Sequence, residues 1–558
     1  MVVRKTEPSI VAPVRTAPPR RDEFVWAELE RRQQARIAEK LAVVKAEAQK
    51  MEAQRLADEN AERKREMVEL AAKESARYLS EVDRYVKPDH VWKVLSNGHE
   101  VRLVRASFLV RLSMAGSILP RRQELPDHAF IDLAELKRMH RGGVPDETLP
   151  IVAISCPSYD GRTHPDPKGV LLKRVAAALM REVPKYAEDS PDGWTPWPEY
   201  EDVGVFWPWA SLFNLNPGLY EDAFFQQDEH GEDPDVALSS ELRVRKAQYL
   251  ASRTQAETNL FRHGVRETWD LFFAHKGVTV YFCPPVTRTG DLEGATSLCA
   301  GWSRFERCAA TEIKRACLPR KVNQTSWMLA LDLADEAGQD HNGRAVDDPW
   351  LATRQWPTAP DEFDEGLAQG DQGYMLGIED DGPLIGTLFR EMRVRQLGGV
   401  RALKFESLPI PSAADCRRLG RCLNLCGILE KLGLAGVGLS DEACCALFSV
   451  LGEGSLGECK KITLFNNSIG DDGACAIAVA TVDGALRKLR WLSLANNLIG
   501  DRGIEAITDA MAKGAMPELE ELCLGHNPFN DAVRARLKAQ CASRDIILKK
   551  DRYDAAML

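Results

Sequence analysis

The sequence predicts a multidomain α/β protein: a long amino-terminal α-helix, a parallel-sheet α/β domain and a carboxyl-terminal α/β solenoid. Three observations carry this. Between Glu28 and Arg77, 37 of 50 residues are Ala, Glu, Lys, Leu or Arg, with no Gly or Pro, a composition that favours helix and i,i+4 charge pairs. Between 151 and 334, short apolar runs alternate with amphipathic stretches, the pattern of strands joined by crossover helices. From 385 to 550 one motif returns every 29 or 30 residues, a period that marks a stack of similar units.

Taken along the chain, residues 1–21 hold Pro8, Pro13, Pro18 and Pro19 among isolated charges, too few apolar groups to offset the entropy of ordering. A disordered tail is expected there. Residues 22–86 read as one charged helix with a short seam, Ile37, Leu41, Val44, Ala48 and Met51, that breaks at Arg55 and Asp58. A coiled coil needs more heptads than that, so two alternatives stand: a homo-oligomer through the seam, or a single solvated helix. Residues 87–150 form a lead-in segment whose fold the pattern does not give.

Ile151–Ile154, Val203–Trp207 and Val278–Phe282 read as strands, and about 168–182, 240–275 and 302–317 as helices. The window from Asp335 to Asp381 has thirteen acids against Arg344 and Arg354, and 335–382 reads as an acidic linker in which Trp350, Trp356 and Phe363 could dock on a neighbour. The repeat occupies 383–550 and a tail 551–558.

Composition narrows the function classes. Lys and Arg number 73 against 83 Asp and Glu, for a net charge of −10 and a pI near 5.7, so the basic footprint of a nucleic-acid binder is absent. No apolar run reaches the length of a spanning helix and none at the start has signal-peptide length, so a cytoplasmic protein with no membrane partner is expected. Nine of the fourteen cysteines fall in the last 150 residues, where they serve as small hydrophobes. Cys416, Cys422 and Cys426 lack Cys-x-x-Cys spacing, so no metal is expected. The absence of a Gly-x-x-x-x-Gly-Lys-Ser/Thr run removes the P-loop route to ATP.

The repeat reads Ile462-Thr463-Leu464 with Asn467, Leu492-Ser493-Leu494 with Asn497, and Leu522-Cys523-Leu524 with Asn527; Val437 and Leu408 stand in the asparagine slot of earlier units. These units resemble leucine-rich repeats of the long, ribonuclease-inhibitor-like kind, which implies partner binding by protein–protein contact. The Leu-x-Leu pairs would face the core, and Asn467, Asn497 and Asn527 would satisfy backbone groups where each strand turns. Two columns should face outward: Lys431, Lys461, Trp491 and Glu521, the partner-binding candidates, and Gly433, Thr463, Ser493 and Cys523.

Ile151–Ser155, the segment Val205–Asn214 and Gly301-Trp302-Ser303-Arg304-Phe305-Glu306 together resemble Toll/interleukin-receptor (TIR) and heterokaryon-incompatibility domains. That resemblance implies self-association and signalling. It also implies an alternative, NAD cleavage with no resident cofactor: Glu306, four residues after Trp302, would be the catalytic carboxylate, and Ser155 and Trp302 would contact NAD as substrate. Ser303 replaces the family's cysteine, and Trp207-Pro208 its Trp-x-Asp. The structural alternative pairs Glu306 with Arg307 or another surface cation. Ser155 to Asp166 gathers serine, cysteine, histidine and acids, but its Pro and Gly spacing is that of turns, with Asp166 placed to cap the next helix.

Overall fold

The structure is a computed structural model that describes residues 83–140, 149–157, 163–188, 202–220, 240–286, 301–314, 330–333, 355–368, 382–405, 408 and 410–549, with isolated positions 51, 55, 62 and 73. The chain divides into two units, Met1–Glu66 and Met67–Leu558. In the first, Met51, Arg55 and Glu62 are helical; the tail and most of the expected long helix lie outside the described residues. In the second, residues 83–86 form a turn rather than the end of that helix. Lys87 is extended at φ −92° and ψ 135°, because a residue before proline is driven out of the helical region.

Pro88 opens α1 (Pro88–Ser96), followed by β1 (Val104–Arg105), α2 (Ala106–Met114) and α3 (Leu133–Met139). This stretch, expected only as a lead-in, belongs to the α/β domain. Val104 pairs antiparallel with Val205, and Leu103, Val104, Leu109 and Ile131 are buried in the same core as the central strands. The domain continues through β2 (Ile151–Ser155), α4 (Val170–Glu188), β3 (Gly204–Phe206), α5 (Pro208–Ser211), α6 (Ser240–Ala251), α7 (Gln255–Ala274), β4 (Thr279–Phe282), α8 (Gly301–Cys308) and β5 (Ala330–Asp332).

The sheet order is β1-β3-β2-β4-β5, and every pair except β1/β3 is parallel. All five residues of β2 are buried, as a parallel strand covered on both faces requires. The chain leaves β2 toward β3 and returns on the other side to β4, so the topological switch point lies between β2 and β4. β5 has no counterpart in the sequence reading.

The helix expected over 240–275 is two. Thr254 accepts from the Glu257 N–H and Glu257 reaches back to the Thr254 N–H, a capping box that starts α7. Beyond α8 the chain widens into a single π-type turn, Ala309–Ile313. The expected acidic linker contains α9 (Pro360–Ala368), whose Phe363 is buried and stacks on Phe389 at 3.8 Å. Trp356 stacks on Phe405 at 5.5 Å, and the acids of α9 meet cations, Asp361 with Arg421 at 2.7 Å, Glu362 with Arg418 and Asp364 with Arg390. These described acids are therefore charge-matched to their neighbours; Trp350 lies outside the described residues.

Next comes α10 (Gly382–Gly398), which enters two cores. Ile385, Phe389 and Met392 pack with the α/β domain, whereas Val394 and Leu397 pack with the segment that follows. In that segment β6 (Ala402–Lys404), β7 (Lys431–Gly433), β8 (Lys461–Thr463), β9 (Trp491–Ser493), β10 (Glu521–Cys523) and β11 (Ile547–Lys549) alternate with α11 (Ala413–Leu423), α12 (Asp441–Phe448), α13 (Asp471–Val482), α14 (Asp501–Ala512) and α15 (Asp531–Ala542). The strands form one parallel sheet in chain order.

Each asparagine of the motif bridges two units. Its Oδ1 accepts from the preceding unit's N–H, Leu439, Ile469 or Ile499, at 3.0–3.1 Å. Its Nδ2 donates to the preceding unit's carbonyl (Leu434, Leu464 or Leu494) and to its own (Leu464, Leu494 or Leu524) at 2.8–3.0 Å. A second ladder runs through the helix starts, where Asp471 accepts from the Gly500 and Gly503 N–H groups at 2.8 and 2.9 Å. Asp441 accepts in the same way from Gly470 and Gly473, and Asp501 from Asn530. Gly503 leaves room for this, since a Cβ there would lie 2.7 Å from Ile499 and 2.8 Å from Asp471 Oδ1.

Three expected outcomes follow from this packing. Because the bond sets match, Asn467→Ala, Asn497→Ala and Asn527→Ala should each cost about 1–3 kcal/mol, read as similar drops in urea midpoint. Gly503→Ala should cost about 1–3 kcal/mol by overpacking, whereas Gly427→Ala, with nothing within 4 Å of the added carbon, should leave the midpoint near wild type. Glu312→Gln strips the charge from a buried ion pair with Arg393 and should cost about 3–5 kcal/mol, seen as an earlier thermal transition.

Candidate functional site

Ser155 is the last residue of β2 and pairs in register with Phe282 at the end of β4. It therefore sits at the carboxyl edge of the sheet, on the switch point, where ligands of such sheets bind. α8 brings Trp302 and Glu306 to the same place: four residues apart on a helix, they share a face. The structure thus joins Ser155, Trp302 and Glu306, which are separated by about 150 residues in the chain.

The Trp269 indole on α7 donates to Glu306 Oε1 at 2.9 Å, and the Ser155 side chain also hydrogen-bonds the carboxyl group. Trp302 lies against Trp269 with ring centres 4.5 Å apart, and Trp269 meets Phe206 edge-on at 6.4 Å. Phe305 extends this aromatic wall. Ser155, Trp302 and Glu306 are 2%, 4% and 3% exposed.

Burial pushes the Glu306 carboxyl up to about 8, against the opposing pull of its Ser155 and Trp269 hydrogen bonds. At neutral pH it is mainly a neutral acid, able to donate a proton, and charging it needs solvent or a cation. The surface-pair alternative is overturned: Arg307 pairs with Asp332 at 2.9 Å, and Glu306 is turned inward. Trp269 and Phe206 complete the site without having been named from the sequence as site residues. Trp269 falls in an ordinary amphipathic run, and nothing local tells its indole from any buried one.

Elsewhere in the candidate loop, Asp166 and His164 make local structural bonds. Asp166 Oδ2 accepts from the Leu172 N–H at 2.8 Å near the start of α4, and His164 Nδ1 accepts from the Asp166 N–H at 3.0 Å. Ser158 and Asp160 lie outside the described residues. Cys416, Cys422 and Cys426 are buried, and among the described residues no group of three or more His, Cys, Asp or Glu could hold a metal ion.

On the second sheet, Lys431 is exposed and Lys461, Trp491 and Glu521 are half-buried. Their charges and ring are already engaged: the Lys461 ammonium sits 4.3 Å from the Trp491 ring centre, and Lys549 meets Glu521 at 2.6 Å. The second column shares the face of the first but is covered rather than exposed. Gly433, Thr463, Ser493 and Cys523 are buried, because short side chains between closely spaced strands lie below the long ones beside them, and the Thr463 hydroxyl turns to the Leu432 carbonyl. No helix among the described residues is long and apolar enough to cross a membrane.

The raised Glu306 carboxyl has a pH signature. The folded state keeps a proton that the unfolded chain releases near the ordinary value of 4.5, so stability is greatest at low pH and falls as pH rises from about 4.5 to about 8. Glu306→Gln lacks that loss. Its urea midpoint should gain on wild type between about pH 5 and pH 8.5; parallel curves would place the group elsewhere. Compared with protein-family models and with curated proteins, the chain matches none.

Proposed function

We propose that the chain is a cytoplasmic protein-interaction or signalling protein, with a leucine-rich repeat over 385–550 that binds a protein partner and a TIR-like domain that self-associates. The observation that carries this reading is the in-register ladder of six parallel strands, which repeats one surface slot every 26–30 residues along Lys431, Lys461, Trp491, Glu521 and Ile547. Regular slots of this kind suit an extended partner surface. Trp491, with the Lys461 ammonium over its ring, is an aromatic of the type enriched at binding hot spots.

The test is a combined Lys431→Glu and Trp491→Ala variant. Proteins recovered with the wild-type chain from its own cells should be lost with the variant while the thermal transition stays in place; equal recovery would sink the repeat surface. Sedimentation of the purified chain should also show concentration-dependent association.

One observation favours a second reading, NAD cleavage: Ser155, Trp302 and Glu306 meet at the switch point. The neutral Glu306 acid would orient the ribose or, once ionised, stabilise positive charge as the glycosidic bond breaks. Its burial means that substrate entry requires the site to open. Crowded or cross-linked protein should then release nicotinamide from NAD, and Glu306→Gln should abolish the release without unfolding the chain.

A further inference from the structure

Two cysteines leave the ends of the two central strands side by side. β2 and β4 run in register to Ser155 and Phe282, and the Cys283 N–H donates to the Ser155 carbonyl at 2.9 Å, so the ladder continues into the next pair, Cys156 and Cys283. Neighbouring strands are about 4.8 Å apart, inside the roughly 4.4–6.8 Å window of Cα separations that a disulfide spans. Each cysteine follows a paired residue by one step, which puts both side chains on the same face. Both are reduced in the structure.

We propose that Cys156 and Cys283 are a peroxide-responsive dithiol that closes to a disulfide across the switch point. Cys156 is the more exposed, at 7% against 1%, and takes the first step. Its thiolate attacks a peroxide oxygen; the S–O bond forms, the O–O bond breaks, and the departing hydroxide takes a proton to leave as water. The Cys283 sulfur then attacks the Cys156 sulfur, the S–S bond forms, the S–O bond breaks, and a second water leaves. Two thiols lose two electrons and two protons, and hydrogen peroxide becomes two waters.

The surroundings fit this division of labour. Burial, then the nearby Cys156, Asp166 and Asp332, hold the Cys283 thiol well above its usual range, which with its lower exposure leaves Cys156 as the first to meet peroxide. Asp166 Oδ1 is buried without a hydrogen-bond partner, and the proton of Cys283 leaves with the departing hydroxide as the second water. The bond would staple β2 to β4 one residue beyond Ser155. Such a bond in a reducing compartment forms only under oxidation and therefore acts as a signal.

The full-length protein is treated with hydrogen peroxide, quenched, denatured in alkylating agent and mapped by peptide mass. The expected product joins the peptides carrying Cys156 and Cys283, two hydrogens lighter than their sum, and reductant separates them. Cys283→Ser should stop at a Cys156 sulfenic acid captured by dimedone. If both cysteines are recovered alkylated after a dose that oxidises the half-buried Cys445 and Cys475, or if Cys156 pairs elsewhere or passes to sulfinic acid, the proposal is overturned. The wild-type map decides the question even if the serine variant fails to fold.

Discussion

The ion pair between Glu312 and Arg393, both essentially without solvent exposure, is the constraint on which the larger unit depends. Two charges in the interior are tolerated when further hydrogen bonds support them; of this pair only the buried Arg393 Nε lacks a hydrogen-bond partner. Glu312 also accepts from the Thr358 N–H and hydroxyl at 2.9 and 2.8 Å, and Arg393 donates to Gln396 at 3.2 Å. The pair fixes the π-type turn after α8 against α10, the helix that contributes to both cores. A cut in the chain at 383 would keep α10 with the repeat but strip Ile385, Phe389 and Met392 of their partners in the α/β domain.

The same helix reaches the candidate site by a second route. Arg395 lies 3.5 Å from Asp270, which also accepts from Arg84 at 3.0 Å and from the Tyr85 hydroxyl at 2.5 Å. Asp270 is the neighbour of Trp269, whose indole holds Glu306. One turn of α7 therefore carries both an anchor for the start of the domain and the donor that sets the carboxyl group of the site. Charged groups do the anchoring outside the aromatic wall, and the wall itself excludes water, which is why the Glu306 carboxyl is neutral at physiological pH.

In the repeat the physics is different, since no unit has a core of its own. The asparagine and aspartate ladders each take a backbone donor left open by one unit and pair it with a side chain of the neighbouring unit. Stability there is a property of interfaces between units.

The sequence by itself determined the periodic and local features. The 30-residue spacing of Asn467, Asn497 and Asn527, the apolar runs of β2, β3 and β4, and the Trp302–Glu306 spacing were all legible, because each depends on residues within one turn, strand or repeat. Only the tertiary structure decided the contacts between distant segments. The attachment of 87–150 to the sheet rests on Val104 meeting Val205, and the packing of α9 on Phe363 finding Phe389. The inward turn of Glu306 rests on Trp269, 37 residues away. Composition reads the 335–382 window as an exposed, partly ordered acidic linker because charge density is a local quantity. The cations that meet Asp361, Glu362 and Asp364, namely Arg421, Arg418 and Arg390, lie outside the window, and which carboxylate faces which guanidinium is fixed only when the two cores close on α10.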